Sequence, residues 1–509
     1  MTRTRKMKRN IDHLQRSGNL LKRNIINDTL RKGSAILYLF LISIISILAF
    51  WAIAAKSGIA FLLFLPVLGV CFWGWTYGRL RFSDKRLRIF WILIQILSTI
   101  AMITVAFSLE VDYSWDWGGL IQNASEVVLT GKCDLEYYAR YSNNSFWLLC
   151  LILVFQLYKF INPNAVLADF KVVSIVLSCL MVQIAILFIY RTAVMIWNEK
   201  KGFIVGVIAL LFAPFYLYAM FAYTDTSGCL AVSIFLWIHI KTKEEKQNSI
   251  GWTVLWGVMA SLVLQTKVMG FIVCIAAFLD RFLTSGDFHK WIRYIGILVL
   301  SFVVSLMALR FLTGIFVPVT DEMRDQYRFP PVHWIMMGLN EGGGYSEEDV
   351  QYTLSFPTYK ERCDADKVKI QQRLSDMGVG GTLDLIMRKS KGLWSFGSLG
   401  GEFYIRERPL HPDRLLYQIF AFEEKYHHLG VLYMDLFWGC ILFGIVLAGW
   451  KKETLLSCTG KLCLIGIIIF LAFWESNSRY LFVFSPVLLL LSADGWLMLR
   501  ERRVRGKRG

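Results

Sequence analysis

The sequence has no CxxC pair, no HExxH and neither of the glycine patterns that bind nucleotide phosphates, GxxxxGK[ST] and GxGxxG. Each absence removes a function class. The missing glycine loops argue against nucleotide-driven transport and against a Rossmann domain for nucleotide sugars, and the missing Cys and His spacings argue against a structural or protease-type metal site. No run of alternating ten-residue segments is present, which excludes an outer-membrane barrel. Nor is there a solenoid repeat or an inverted repeat of the transporter kind. The first apolar stretch is a full-length span with no small-residue cleavage site after it, so a cleavable signal peptide is not expected.

Charge is also scarce, at 18% of the 509 residues, against 56% hydrophobic and 15% aromatic residues. A mean hydropathy of +0.49 excludes a purely soluble enzyme. Apolar runs of about 17 to 25 residues recur, each long enough to cross a hydrocarbon core of about 30 Å as a helix. The sequence therefore predicts an all-α polytopic membrane protein. Ten cysteines are present. Cys71, Cys179, Cys229, Cys274, Cys440, Cys458 and Cys463 sit in apolar runs as small fillers, and only Cys133 and Cys363 fall in long polar loops, where a disulfide between them stays open.

The formal net charge of +17 is concentrated at the ends and in short loops. Arg3, Arg5, Lys6, Lys8 and Arg9 open the chain, and Arg500, Arg502, Arg503, Arg505, Lys507 and Arg508 close it. Beside an anionic leaflet such tails need no nucleic acid as partner; membrane lipids suffice.

Twelve spans are expected near 35–55, 59–78, 89–109, 170–191, 203–221, 226–240, 251–265, 268–283, 294–313, 432–450, 458–474 and 479–498. A further stretch, Phe146 to Tyr158, has about thirteen apolar residues before Lys159, short for a span. If it crossed, the basic C-terminal tail would land opposite the basic N-terminus, together with Arg191, Lys201, Lys241 and Lys451. Segment 146–163 is therefore read as juxtamembrane. Both termini are then cytoplasmic, with Arg79, Arg81, Lys85, Arg86 and Arg88 on the same side.

The division that follows is a basic tail 1–34, a transmembrane region 35–313 with a first outer loop 110–169, a large extracytoplasmic loop 314–431, helices 432–498 and a basic tail 499–509. The functional chemistry is expected on the outer face. The long loop carries two amphipathic stretches near 358–377 and 380–391, and loops of that size are usually functional.

After the third span comes Glu110-Val-Asp112-Tyr-Ser-Trp115-Asp116-Trp117. Acids among indoles at a boundary can be a solvated aromatic belt, or a carboxylate placed to accept a proton from a hydroxyl nucleophile. The stretch from Pro214 to Tyr223-Thr224-Asp225 puts an acid in a tight outer turn, either as a helix cap or facing an aqueous cavity. Lys267 and Arg479 are cations on the face where basic residues are disfavoured. They snorkel to headgroups, or they bind the phosphate of a lipid carrier. Arg140 in the first loop, Glu475 and Tyr480 beside Arg479, and His333-Trp334 in the glycine-rich stretch 329–345 complete the candidates. The last of these reads as a cavity wall, an acceptor platform or an ordered loop.

Three features together resemble the GT-C superfamily of integral membrane glycosyltransferases, which includes protein O-mannosyltransferases and aminoarabinose lipid A transferases. They are Asp112 or Asp116 followed by segment 146–163; Lys200-Lys201 through Pro214 to Asp225; and Glu475 with Arg479-Tyr480 before Pro486. The resemblance spans most of 90–310 and 455–498. It implies about twelve transmembrane helices with juxtamembrane helices in large outer loops, in a bacterial cell membrane.

It also implies transfer of a sugar from a polyprenyl-phosphate donor to a hydroxyl of a lipid, glycan or protein, with inversion. A first-loop carboxylate acts as base, Asp116 or Asp112, and Lys267 and Arg479 hold the donor phosphate. The family's neighbouring Asp-Glu pair is absent, so both acids stay open. Some members use a divalent metal, for which Asp225 is the candidate; no other cofactor is implied. The competing reading is a transporter or flippase of lipid-linked glycans, and a third is a non-catalytic scaffold.

Overall fold

The computed structural model describes residues 2–56, 82–244, 249–284, 288–450 and 454–506. The expected span at 59–78, with Arg79 and Arg81, lies outside the described residues. Within them, every regular element is a helix, and extended chain pairs only in one antiparallel bridge between Val111 and Pro409.

Seven described helices are long and apolar enough to cross a membrane: Ile26–Lys56, Asp84–Ser108, Ser142–Ile161, Leu167–Ile196, Trp291–Phe316, His427–Ala448 and Ser478–Leu497. Others are shorter, for identifiable reasons. The expected span 203–221 breaks into Glu199–Leu210 and Ala213–Tyr218, with Pro214 in the first turn of the second piece. The expected span 268–283 starts as a 3-10 turn, Val268–Gly270, before helix Phe271–Thr284. The last span opens with a seven-residue 3-10 helix, Ser478–Phe484. Non-α backbone is costly in hydrocarbon unless protein surrounds it. Residues 219–223 and 480–484 are all buried, whereas Leu211 and Val268, at the other two breaks, are exposed.

Helices Asp84–Ser108 and Leu167–Ile196 run antiparallel, tied at three levels. Lys171 pairs with Glu110 at 2.8 Å, Gln95 donates to the Gln183 carbonyl at 3.1 Å, and Arg88 pairs with Glu199 at 3.2 Å. Residues 109–166 therefore leave and rejoin the bundle at one face, and the parity of crossings does not depend on how 145–161 lies. That segment differs from the expectation in length. Helix Ser145–Ile161 and the 3-10 turn before it form a 20-residue apolar stretch, enough to cross. Its two ends are held by Trp147 Nε1 donating to the Ala222 carbonyl and Lys159 Nζ donating to the Val128 carbonyl, both at 2.8 Å.

Loop 314–431 has its own small core of Phe329, Met337 and Val350. The two expected amphipathic stretches are the halves of helix Tyr359–Trp394, divided at Gly378 with φ 59°. Thr358 and Glu361 form a capping box at its start. Its other end is clasped to the bundle: Trp438 Nε1 donates to the Trp394 carbonyl at 2.8 Å, and Lys56 Nζ to the Ser395 carbonyl at 3.0 Å. Cys133 and Cys363 are both free thiols.

Candidate functional site

The helix breaks converge at the face where residues 109–166 emerge. Asp116 lies in the first turn of helix Trp115–Thr130. The loop before it is folded tightly: a Cβ on Gly118 would lie 2.9 Å from the Tyr113 Cα, and Trp115 has φ 50°. That loop is stitched to 400–410, where the Asp112 N–H donates to the Arg408 carbonyl at 2.8 Å and the Leu410 N–H to the Glu110 carbonyl at 2.9 Å.

Asp116 is partly buried and held on both oxygens. The Tyr137 hydroxyl donates to Oδ1 at 2.7 Å and the Tyr223 hydroxyl to Oδ2 at 3.1 Å. Asn144 Nδ2 donates in turn to the Tyr137 oxygen at 2.9 Å. Burial beside the Asp116 carboxylate pushes the Tyr137 phenol well above its ordinary range, so it stays a donor. Asp112 is exposed, and its Oδ1 accepts the N–H of adjacent Tyr113 at 2.8 Å.

The cations lie on the other side of Tyr223. Lys267, at the end of helix Ile250–Thr266, pairs with buried Asp225 at 2.7 Å and donates to Thr224 Oγ1 at 3.2 Å. Its ammonium is 5.3 Å from the Tyr223 ring centre and 5.8 Å from that of Tyr480. Arg479 packs its guanidinium against three phenol rings, 5.5 Å from Tyr404, 5.6 Å from Tyr480 and 5.8 Å from Tyr223. It forms no ion pair with a described residue, and its buried Nε has no hydrogen-bond partner. Glu475 is buried, accepts the Tyr480 hydroxyl, and its N–H donates to the Trp334 carbonyl at 3.0 Å.

Two glycines permit this closeness. On Gly228 a Cβ would lie 2.7 Å from the Lys267 Cβ and 2.9 Å from Val483 Cγ2. Gly400, at φ +83°, rests 2.6 Å from Ser478 Oγ by the same measure, directly before Arg479.

The remaining candidates have other partners. Arg140 pairs with Glu136 one turn away at 2.9 Å. His333 is fully buried in the core of the long loop, stacked on Phe329 at 4.3 Å, with Nδ1 2.7 Å from Thr353 Oγ1. It is therefore neither a cavity wall nor a platform. Trp334 touches the site through its backbone, while its ring stacks toward Trp474 at 6.4 Å. As for a metal, the described residues contain no group of three or more metal-ligating side chains. The Asp225 carboxylate faces an ammonium at 2.7 Å, so the donor set does not fit a divalent ion held there.

Sequence reasoning misses Tyr137, Tyr223, Tyr404 and Asn144. The crowding of Tyr137, Tyr138 and Tyr141 around Arg140, and Tyr223 two residues before Asp225, were the available signals.

The arrangement is that of a helical membrane protein with an acid and a cation group at one face of the bundle. A family described as conserved hypothetical integral membrane protein matches residues 35–497, and the chain belongs to that family. No curated protein matches the sequence. Similar solved structures include the archaeal oligosaccharyltransferase AglB from Archaeoglobus fulgidus, in complex with an inhibitory peptide and a dolichol-phosphate, at TM-score 0.39 and 12% identity over 82% of this chain and 52% of that one. ArnT from Cupriavidus metallidurans, bound to undecaprenyl phosphate, is similar at TM-score 0.34 and 12% identity over 80% of this chain and 77% of that one. The chain thus spans about half the length of the archaeal protein.

Proposed function

We propose that the protein is a glycosyltransferase of the GT-C type, moving one sugar from a polyprenyl-phosphate carrier to a hydroxyl acceptor. The observation that carries this reading is Arg479: a guanidinium at the site, ringed by three phenols, with no carboxylate partner among the described residues. Such a group suits an anion, and beside membrane-embedded helices the anion is the phosphate of a lipid.

In this reading Asp116 takes the proton of the acceptor hydroxyl as its oxygen attacks the anomeric carbon. The bond from that carbon to the phosphate oxygen breaks, and its electron pair leaves with the polyprenyl phosphate. Attack opposite the leaving group inverts the anomeric centre. Arg479 and Lys267 stabilise the phosphate charge, so no general acid is needed. The basic tails assign the opposite face to the cytoplasm and the site to the outside.

Binding of undecaprenyl phosphate to the purified protein tests the phosphate role. Arg479→Gln removes no ion pair among the described residues, and it is expected to weaken that binding by about tenfold or more, as loss of a charge-assisted contact does. Equal affinity in the two proteins would contradict it.

A further inference from the structure

The two phenols on Asp116 come from different parts of the chain and are each fixed independently. Tyr137 sits in the short helix Leu135–Arg140; its oxygen accepts from Asn144, and its single proton goes to Asp116 Oδ1. Tyr223 lies 107 residues from Asp116 in sequence and is buried. Its own backbone is pinned: its carbonyl accepts the Thr226 hydroxyl at 2.9 Å, the Ser227 hydroxyl at 3.2 Å and the Ser227 N–H at 3.1 Å. The Tyr137 ring cannot swing away without breaking the Asn144 bond, and the Tyr223 ring is buried on a backbone fixed beneath it.

A carboxylate offers about four lone-pair positions. The phenols occupy one on each oxygen, which defines the plane of the group and leaves a position on each oxygen free. Asp116 stays partly exposed, unlike a carboxyl sealed in for structural reasons. It also has no described cation within ion-pairing distance, so its charge is directed without being quenched. The Tyr223 ring meanwhile contacts both Lys267 and Arg479. One side chain thus sets the spacing between the acid and the cations.

We propose that Tyr137 and Tyr223 are positioning residues, a two-phenol clamp that orients the Asp116 carboxylate toward the acceptor hydroxyl and registers it against the phosphate-binding cations. The assignment rests on the reading of Asp116 as the base. Misorientation of a reacting group by a fraction of its hydrogen-bond length is costly, about 10² in rate for a displacement of about 1 Å.

The test uses Tyr137→Phe and Tyr223→Phe, which delete one hydroxyl each and keep the rings. Three readouts are taken in the full-length protein: the Asp116 carboxylate stretches, isolated as the infrared difference against an Asp116→Asn partner in each background; kcat with the polyprenyl-phosphate sugar that wild type turns over; and the Kd for undecaprenyl phosphate. The expected result is a shift of the carboxylate bands in both variants and a fall in kcat of about ten- to a hundredfold, with Kd unchanged within twofold. An unchanged Kd also reports an intact fold. Unshifted bands, or lost activity that follows weaker undecaprenyl phosphate binding, overturn the clamp. Absence of transfer by wild type with every donor overturns the function, and with it the base assignment, before any tyrosine variant is compared.

Discussion

At the scale of single residues, the Lys267–Asp225 pair and Arg479 behave differently under substitution. Removing Lys267 strands a buried carboxylate, a change that costs about 3–5 kcal/mol in comparable pairs. Loss of activity in Lys267→Ala therefore mixes donor binding with stability, whereas Arg479→Gln strands no carboxylate partner among the described residues and gives up only the three ring contacts. A second residue-scale case is the chain His333, Thr353 and Asp366, in which the Thr353 hydroxyl donates to Asp366 Oδ1 at 2.7 Å. Burial raises the Asp366 carboxyl from 3.8 to about 6 and lowers the His333 imidazole from 6.5 to about 4.

The two act oppositely. Between about pH 4 and 6 the folded protein keeps the Asp366 proton that the unfolded chain has lost, so this group makes stability fall as pH rises. Over about pH 4 to 6.5 the unfolded chain holds a His333 proton that the folded protein lacks, so that group makes stability rise with pH. Relative to wild type, the slope of thermal stability against pH in detergent is expected to be more positive in Asp366→Asn and more negative in His333→Gln. Parallel slopes in all three proteins would show that the pair does not titrate in this way.

At the scale of elements, the site exists because helices stop. Glu199–Leu210 ends before Pro214, Ile250–Thr266 ends at Lys267, and Ser457–Phe473 ends before Glu475. The last of these ends is capped from the loop by Lys389. Its buried ammonium donates to the carbonyls of Gly338 at 2.8 Å, Ala472 at 3.0 Å and Trp474 at 2.8 Å. Gly343 makes room for it, since a Cβ there would lie 2.6 Å from Lys389 Cδ. Lys389→Met strands these carbonyls, and a buried unsatisfied group costs about 1–3 kcal/mol. A lower Tm is expected for Lys389→Met than for Lys391→Met, whose side chain is exposed. Equal values would remove the cap from the account.

The sequence made part of this visible. Pro214, Asp225 in the turn expected outside, and Lys267 and Arg479, expected on the face where basic residues are disfavoured, stood out because each violates a rule for membrane helices. The phenols did not, because tyrosines at a membrane boundary are expected whether or not they hold anything. His333 was misleading for a related reason: a histidine beside aromatics and glycines is the same string whether it lines a cavity or stacks on Phe329 inside a loop core.

At the scale of the molecule, two faces carry buried polar groups. On one, Asp116, Asp225, Lys267 and Arg479 gather around Tyr223. At the other, Lys243 pairs with Asp280 at 2.5 Å, and the Thr459 hydroxyl donates to the same carboxylate at 2.5 Å. The apolar runs were enough to read the helical bundle. The placement of loop 314–431 against the bundle depends on contacts such as Lys56 with Ser395 and Tyr218 with Leu399, 339 and 181 residues apart, which no local pattern encodes.

The function proposed for the site turns on chemical transfer at Asp116. Its most direct test is movement of radiolabelled sugar from a panel of polyprenyl-phosphate sugars in proteoliposomes, comparing wild type with Asp116→Asn. Label is expected to leave the carrier with wild type alone. Intact lipid-linked sugar crossing between leaflets in both proteins, with the phosphate bond unbroken, would contradict it.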